Sequence, residues 1–320
     1  MSALGPVIIF SAVLLGLALA GPLFIRRAAP ALVRLPQMAS VSIVGGALLW
    51  LAGIFSIGPL LAWMSSGPVI LPNGAAEVCQ RCIAAANPFG TDPLSTMIPT
   101  VLLFLIPGIA ATVLILGMVH QLRTRRADIR QTAPQLLEGG EQIRITGYDI
   151  TVIPQNGILA SSLPASYGGI VLSQGALDVL SDDELAAVLA HEHAHVSRRH
   201  HLLQAVMDSF VALLGWVPLI AECGRALPGY LEIAADKHAQ KTAGSHAVVS
   251  ALVTLGERQQ QSAGVLHMAG PERVRQLVAP VKGAAGALPA AVMAAHMAAL
   301  VGFTALVMAP YGSAIITGCL

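Results

Sequence analysis

Residues 188 to 201 read VLAHEHAHVSRRHH, an arrangement whose residue types and spacing can do chemistry. His191 and His195 stand four apart. On a helix, residues four apart lie one above the other on the same face, so these two imidazoles offer two nitrogens to one metal ion. Glu192 falls beside that ion, where a carboxylate can take a proton from metal-bound water. The order H-E-x-x-H therefore predicts zinc-assisted hydrolysis with Glu192 as the general base.

Two His ligands leave tetrahedral zinc short of one protein ligand and an open water position. Glu232, in YLEIAADKHA, is the candidate third ligand. Pro228 and Gly229 just before it predict a turn, with Glu232 opening a second helix. Asp236 follows one turn later on the same face, placed to accept the other N–H of a zinc-bound His. One zinc ion is the expected cofactor.

The run GGIVLSQGALDVLSDDELAAVLAHE must deliver the His pair. Ile170 to Leu172 predict a short buried or edge strand, and Ser181 with Glu184 forms an S-x-x-E capping box that starts the helix. Leu185, Val188 and Leu189 supply an apolar stripe at helical spacing. One face then packs inward and the other stays polar.

At these residues VLAHEHAH, with EIAAD downstream, resembles the membrane-embedded zinc peptidases of the BlaR/MecR antirepressor type, and more distantly the HtpX-like and CAAX prenyl endopeptidases. The resemblance runs from the strand before the zinc helix through Glu232 and Asp236, and the membrane spans described below fit it in number and order. It implies that His191, His195 and Glu232 are zinc ligands, that Glu192 is the base, and that a cytoplasmic zinc domain cleaves a protein, which in the antirepressor type is a transcriptional repressor. Antirepressor sensors carry a penicillin-binding domain with an S-x-x-K acyl serine after the last span. No S-x-x-K occurs here, so direct β-lactam sensing is not expected. Quality control of membrane proteins is the alternative role, and a catalytically silent signalling scaffold is disfavoured by the intact Glu192.

Composition sets the surroundings. Of the 320 residues, 55% are hydrophobic and 11% charged, and the mean hydropathy is +0.71. Such a chain is predicted to lie in a membrane. Residues 4 to 25, 38 to 64, 97 to 120 and 288 to 309 are long and apolar enough to span. Arg26 and Arg27 follow the first run instead of preceding it, which favours a retained span over a cleaved signal peptide. Lys and Arg number three in 26 to 37, one in 65 to 96, fourteen in 121 to 287 and none beyond. The positive-inside rule then predicts a multi-pass cell-membrane protein with both termini outside and residues 121 to 287 in the cytoplasm.

The predicted fold class is thus an α-helical membrane protein of about four spans with an inserted α+β zincin-type cytoplasmic metallopeptidase domain. Residues 1 to 120 hold three spans and an outer loop at 65 to 96, 121 to 287 the zinc domain, and 288 to 320 the fourth span and a short outer tail. Residues 142 to 172 alternate enough to predict strands, and an extended substrate is expected to add itself beside an edge near Ile170. The apolar stretch 202 to 221 is read as one helix lying against the membrane, with Asp208 on its polar side. A full crossing would put His195 and Glu232 on opposite faces of a core about 30 Å thick.

The remaining residues carry weaker signals. Cys79 and Cys82 form C-Q-R-C in the outer loop, where a local disulfide is the favoured reading. Cys223 and Cys319 are expected to be inert. Arg123, Arg125, Arg126 and Arg130 read as a topology signal touching headgroups. The nearly balanced charge of the cytoplasmic piece argues against nucleic-acid binding, leaving membrane lipid and a protein substrate as expected partners. His267 and Arg273 are candidate oxyanion stabilisers, although a solvated helix face is the commoner role for such residues. His193 should point away from the metal, His200 and His201 should lie at the membrane interface, His238 and His246 should be exposed, and His296 should pack within the fourth span.

Overall fold

The computed structural model describes residues 5–66, 77, 80–81, 83–84, 94–95, 97–262 and 284–317. Helices predominate, with a small sheet beside the H-E-x-x-H helix. Among the described residues, four helices are long and apolar enough to cross a membrane: α1 (Gly5–Leu32), α2 (Pro36–Met64), α3 (Thr100–Leu136) and α9 (Ala287–Thr317). Their exposed flanks carry large apolar residues such as Ile8, Leu19, Val113 and Leu116, as lipid-facing surfaces do. Helix α3 runs sixteen residues past the predicted end of its span, carrying the basic stretch Arg123 to Arg130 on a continuous helix.

Between α3 and α9 lie β1 (Glu141–Ile145), β2 (Tyr148–Ile153), β3 (Ala160–Ser162), β4 (Ile170–Ser173), α4 (Gln174–Val179), α5 (Asp182–Ser197), α6 (His200–Leu214), α7 (Pro218–Ala243) and α8 (Ser245–Ser262). The sheet order is β1-β2-β4-β3. β1 and β2 form an antiparallel hairpin turned by Thr146 and Gly147, both at positive φ, as a two-residue turn of matching twist requires. β2 and β4 are parallel, pairing Ile150 with Ile170 and Val152 with Leu172, and β3 returns antiparallel to β4. The strand at Ile170 is therefore interior and wholly buried. Among the described residues the edge on that side is β3, so an edge near Ile170 is corrected by ten residues.

Two apolar cores follow. Ile150, Leu172, Leu189, Ala190 and Val248 join the sheet to α5 and α8. Phe10, Leu14, Trp63, Met207, Phe210 and Leu227 join α1 and α2 to α6 and α7. The latter core fastens the site-bearing helices to the apolar helices. It is reinforced by Arg26, whose Nε and Nη2 donate to the two carboxylate oxygens of Glu222 at 2.8 Å each.

The single helix expected over 202 to 221 is two. α6 ends at Leu214, Gly215 to Val217 turn, and Pro218 starts α7 at a first-turn position where its missing N–H costs nothing. With fifteen residues, α6 is too short to span. Its Asp208 accepts a 2.7 Å bond from Arg125, clamping the end of α3 onto it. Conversely, Pro228 does not turn the chain. It sits inside α7, so Glu232 lies mid-helix instead of opening one. An interior Pro costs about 3 kcal/mol, which burial of Leu227, Tyr230 and Leu231 on either side offsets.

Candidate metal centre

The capping box at the start of α5 forms: Glu184 Oε2 accepts the Ser181 backbone N–H at 2.9 Å. Its other oxygen accepts from Ser250 Oγ at 2.5 Å and Thr254 Oγ1 at 2.8 Å, tying α5 to α8. Burial alone would raise the Glu184 pKa, but the bonds from Ser250, Ser181 and Thr254 outweigh it and hold the carboxyl at about 2. Ala187, Val188, Leu189, Ala190 and Ala194 face inward from α5. The opposite stripe carries His191 and His195 toward α7.

There the Nε2 atoms of His191 and His195 lie 3.1 Å apart. Glu232, on α7, brings Oε2 to 3.5 Å from His191 Nε2 and Oε1 to 3.5 Å from His195 Nε2. Donors about 2.0–2.1 Å from one tetrahedral zinc would be about 3.3–3.4 Å apart, so this His/His/Glu group fits such an ion. All three side chains retain partial exposure, leaving an approach for a fourth ligand.

Asp236 is 2% exposed and its Oδ1 lies 2.9 Å from His191 Nδ1. It accepts that N–H, which fixes the tautomer with the Nε2 lone pair free for a metal. Burial disfavours charge on His191, yet the bonds to Asp236 and Glu232 prevail and push its pKa up to about 9. Burial and the neighbouring His191 push His195 down to about 3. The two carboxylates thus favour an added proton on His191, while burial and His191 disfavour one on His195. An arriving metal displaces the proton on His191.

His200 is buried, not interfacial, and its Nδ1 lies 3.1 Å from His195 Nδ1. Arg199, at φ 54°, makes the left-handed corner that breaks α5 from α6 and swings His200 back. Burial, then the nearby Arg198, lower the His200 pKa to about 4. A neutral His200 can accept the Nδ1–H of His195, just as Asp236 accepts that of His191.

Arg198 Nη1 donates to the Ala234 carbonyl at 3.2 Å, fastening the end of α5 to α7 between Glu232 and Asp236. His193 turns from the metal group and stacks near Tyr148, ring centroids 5.0 Å apart. His238 is half-buried beside Arg198, and His246 is exposed. His296 is exposed on α9, with Phe24 the nearest ring at 6.5 Å. Cys223 is a buried free thiol whose pKa burial pushes up to about 12, in keeping with an inert role. His267, Arg273, Cys79, Cys82 and Cys319 lie outside the described residues.

Glu192 is 7% exposed and, with His191, lines a cavity of about 50 Å³ walled by Ala160, Val188, Val248 and Leu255. An acid, a metal-binding group and an apolar recess beside a free strand edge are the parts a peptide-hydrolysing site needs.

Residues 160–281 match the model of Peptidase family M48. No curated protein and no solved structure matches the chain. The matched stretch contains β3, β4 and the whole His/His/Glu group, and supports a metallopeptidase.

Proposed function

We propose that the chain is an integral membrane zinc metalloendopeptidase that hydrolyses peptide bonds of a cytosolic or membrane-associated protein. The observation that carries this reading is the convergence of His191 Nε2, His195 Nε2 and Glu232 within 3.5 Å contacts, next to Glu192, inside a stretch that matches a peptidase family. His191, His195 and Glu232 hold the ion, and Asp236 and His200 orient the two imidazoles. Bound zinc supplies a water acidified to a pKa of about 7. Glu192 would take a proton from that water on a carboxylate oxygen as the water oxygen bonds to the scissile carbonyl carbon, and would return it to the amine nitrogen as the C–N bond breaks.

The free edge of β3 offers backbone N–H and C=O groups to an extended substrate, and the recess behind Ala160 accepts a small apolar side chain. The crowding of Lys and Arg into residues 121 to 287 supports a reading in which four spans leave the site in the cytoplasm and both termini outside. The finer role we propose is regulated proteolysis of a transcriptional repressor. What supports it is architectural: among the described residues, no second pair of spans interrupts the path from His195 to Glu232, because α6 is too short to cross. The antirepressor-type resemblance has that arrangement.

The test is hydrolysis of an unfolded protein by the chain reconstituted in lipid. A chelator should abolish cleavage and zinc should restore it, whereas cleavage indifferent to chelation would refute the metal-dependent reading.

A further inference from the structure

The turn between α1 and α2 packs against α7 and the end of α5, and these elements enclose a cavity of about 200 Å³. Arg34, Arg198, Lys237, Lys241 and His238 line it, and among the described residues no carboxylate does. Two arginines elsewhere each meet a carboxylate, Arg26 with Glu222 and Arg125 with Asp208. Here four cationic side chains meet without a counter-charge.

Two further observations point to a missing anion. Nε and Nη2 of Arg34 are shut off from solvent and, among the described residues, have no hydrogen-bond partner. Those atoms form one edge of the guanidinium fork, the pair of N–H groups that can grip an oxyanion with two parallel bonds once the side chain turns that edge toward the cavity. Leaving such donors buried and unsatisfied is costly. Lys237 cannot serve as their partner, since its Nζ donates to the Val33 and Arg34 carbonyls at 3.2 and 2.8 Å, fixing the turn beneath the cavity. Burial and the neighbouring Lys241 hold the Lys237 pKa below its ordinary value, as an uncompensated cluster would.

Depth favours a lipid as the source. The turn joins two helices that each have the length and apolarity of a membrane span, which puts it at headgroup level. Leu35 and Met38 at the cavity wall are 66% and 63% exposed, an apolar surface over which a glycerol and its acyl chains can run. Basic pockets between spans at this depth suit phosphate headgroups.

We propose that this cavity binds a phosphate group, carried by an anionic membrane lipid, that bridges the α1–α2 turn to α7 and α5. The inference goes beyond hydrolysis and does not depend on it. It also gives the membrane a grip on the helix that holds Glu232 and Asp236.

The test uses the full chain in neutral detergent, with short-chain phosphatidic acid, short-chain phosphatidylcholine and inorganic phosphate titrated separately, and binding read by native mass spectrometry and thermal shift. One phosphatidic acid should bind saturably, while phosphatidylcholine, whose choline meets the cations, should bind far more weakly. Arg34→Gln should weaken the site about tenfold or more. Arg123→Gln, which removes a charge from exposed α3, should leave it unchanged. Should Arg34→Gln fail to fold, as judged without lipid, Lys241→Gln at the exposed end of α7 carries the test with a loss of several-fold. Inorganic phosphate binding as tightly as the lipid would keep the phosphate site and make free phosphate its occupant. Equal binding of both lipids, or wild-type affinity in the folded Arg34 and Lys241 variants, would overturn the proposal.

Discussion

Asp236 holds His191 by one 2.9 Å contact from a fully buried carboxylate, so the tautomer that presents Nε2 depends on it. Asp236→Asn should therefore weaken zinc binding about 10–100-fold, measured by competition with a chromogenic chelator, while the helices remain. Unchanged affinity would mean that His191 is oriented by something else. Much of this site was legible, because H-E-x-x-H and the E-x-x-x-D of Glu232 and Asp236 each act through helical spacing alone. His200 was not. Five residues along a continuous helix lie about 140° round from the start, and only the left-handed corner at Arg199 brings His200 back to His195. No local residue preference announces an arginine in that conformation.

Elements are set by contacts that sequence shows only by halves. The Ser181–Glu184 box was readable from its spacing, but the second oxygen of Glu184 reaches Ser250 and Thr254 on α8, a pairing far apart in the chain. Its folded pKa of about 2 lies below the ordinary 4.5, so ionised Glu184 contributes its full stability above about 4.5 and loses it as pH falls toward 2. Glu184→Gln should lower stability by about 2 kcal/mol near neutrality, and the gap in unfolding temperature should close below pH 4.5. A gap that widens in acid would contradict the sign. Helices α2 and α3 approach at Gly58, where a Cβ would stand 2.1 Å from the Leu103 carbonyl oxygen. Gly58→Ala must push two backbones apart, and is expected to lower thermal stability in detergent more than Gly45→Ala, which meets open space. Proline signals a helix break by its local preference, but Pro228 lies inside α7 because burial on both sides outweighs its cost.

For the whole molecule, the apolar runs made four helices long and apolar enough to cross a membrane legible from composition. The division of 202 to 221 into α6 and α7 was not, since both halves are apolar and pack into one core with α1 and α2. In a chain with its four cysteines replaced by serine, Met97→Cys, at an exposed residue just before α3, should react with an impermeant maleimide on intact cells. Asp183→Cys, at the exposed start of α5, should react only after the membrane is opened. The reverse pattern would invert the topology. The proposed hydrolysis needs both a zinc ion held by His191, His195 and Glu232 and the carboxylate of Glu192. The most direct measurement is zinc content together with proteolysis, in membranes containing the wild type or Glu192→Ala. Both should hold about one zinc per chain and only the wild type should cut; a chain without zinc, or a Glu192→Ala variant that cuts as well as the wild type, would contradict it.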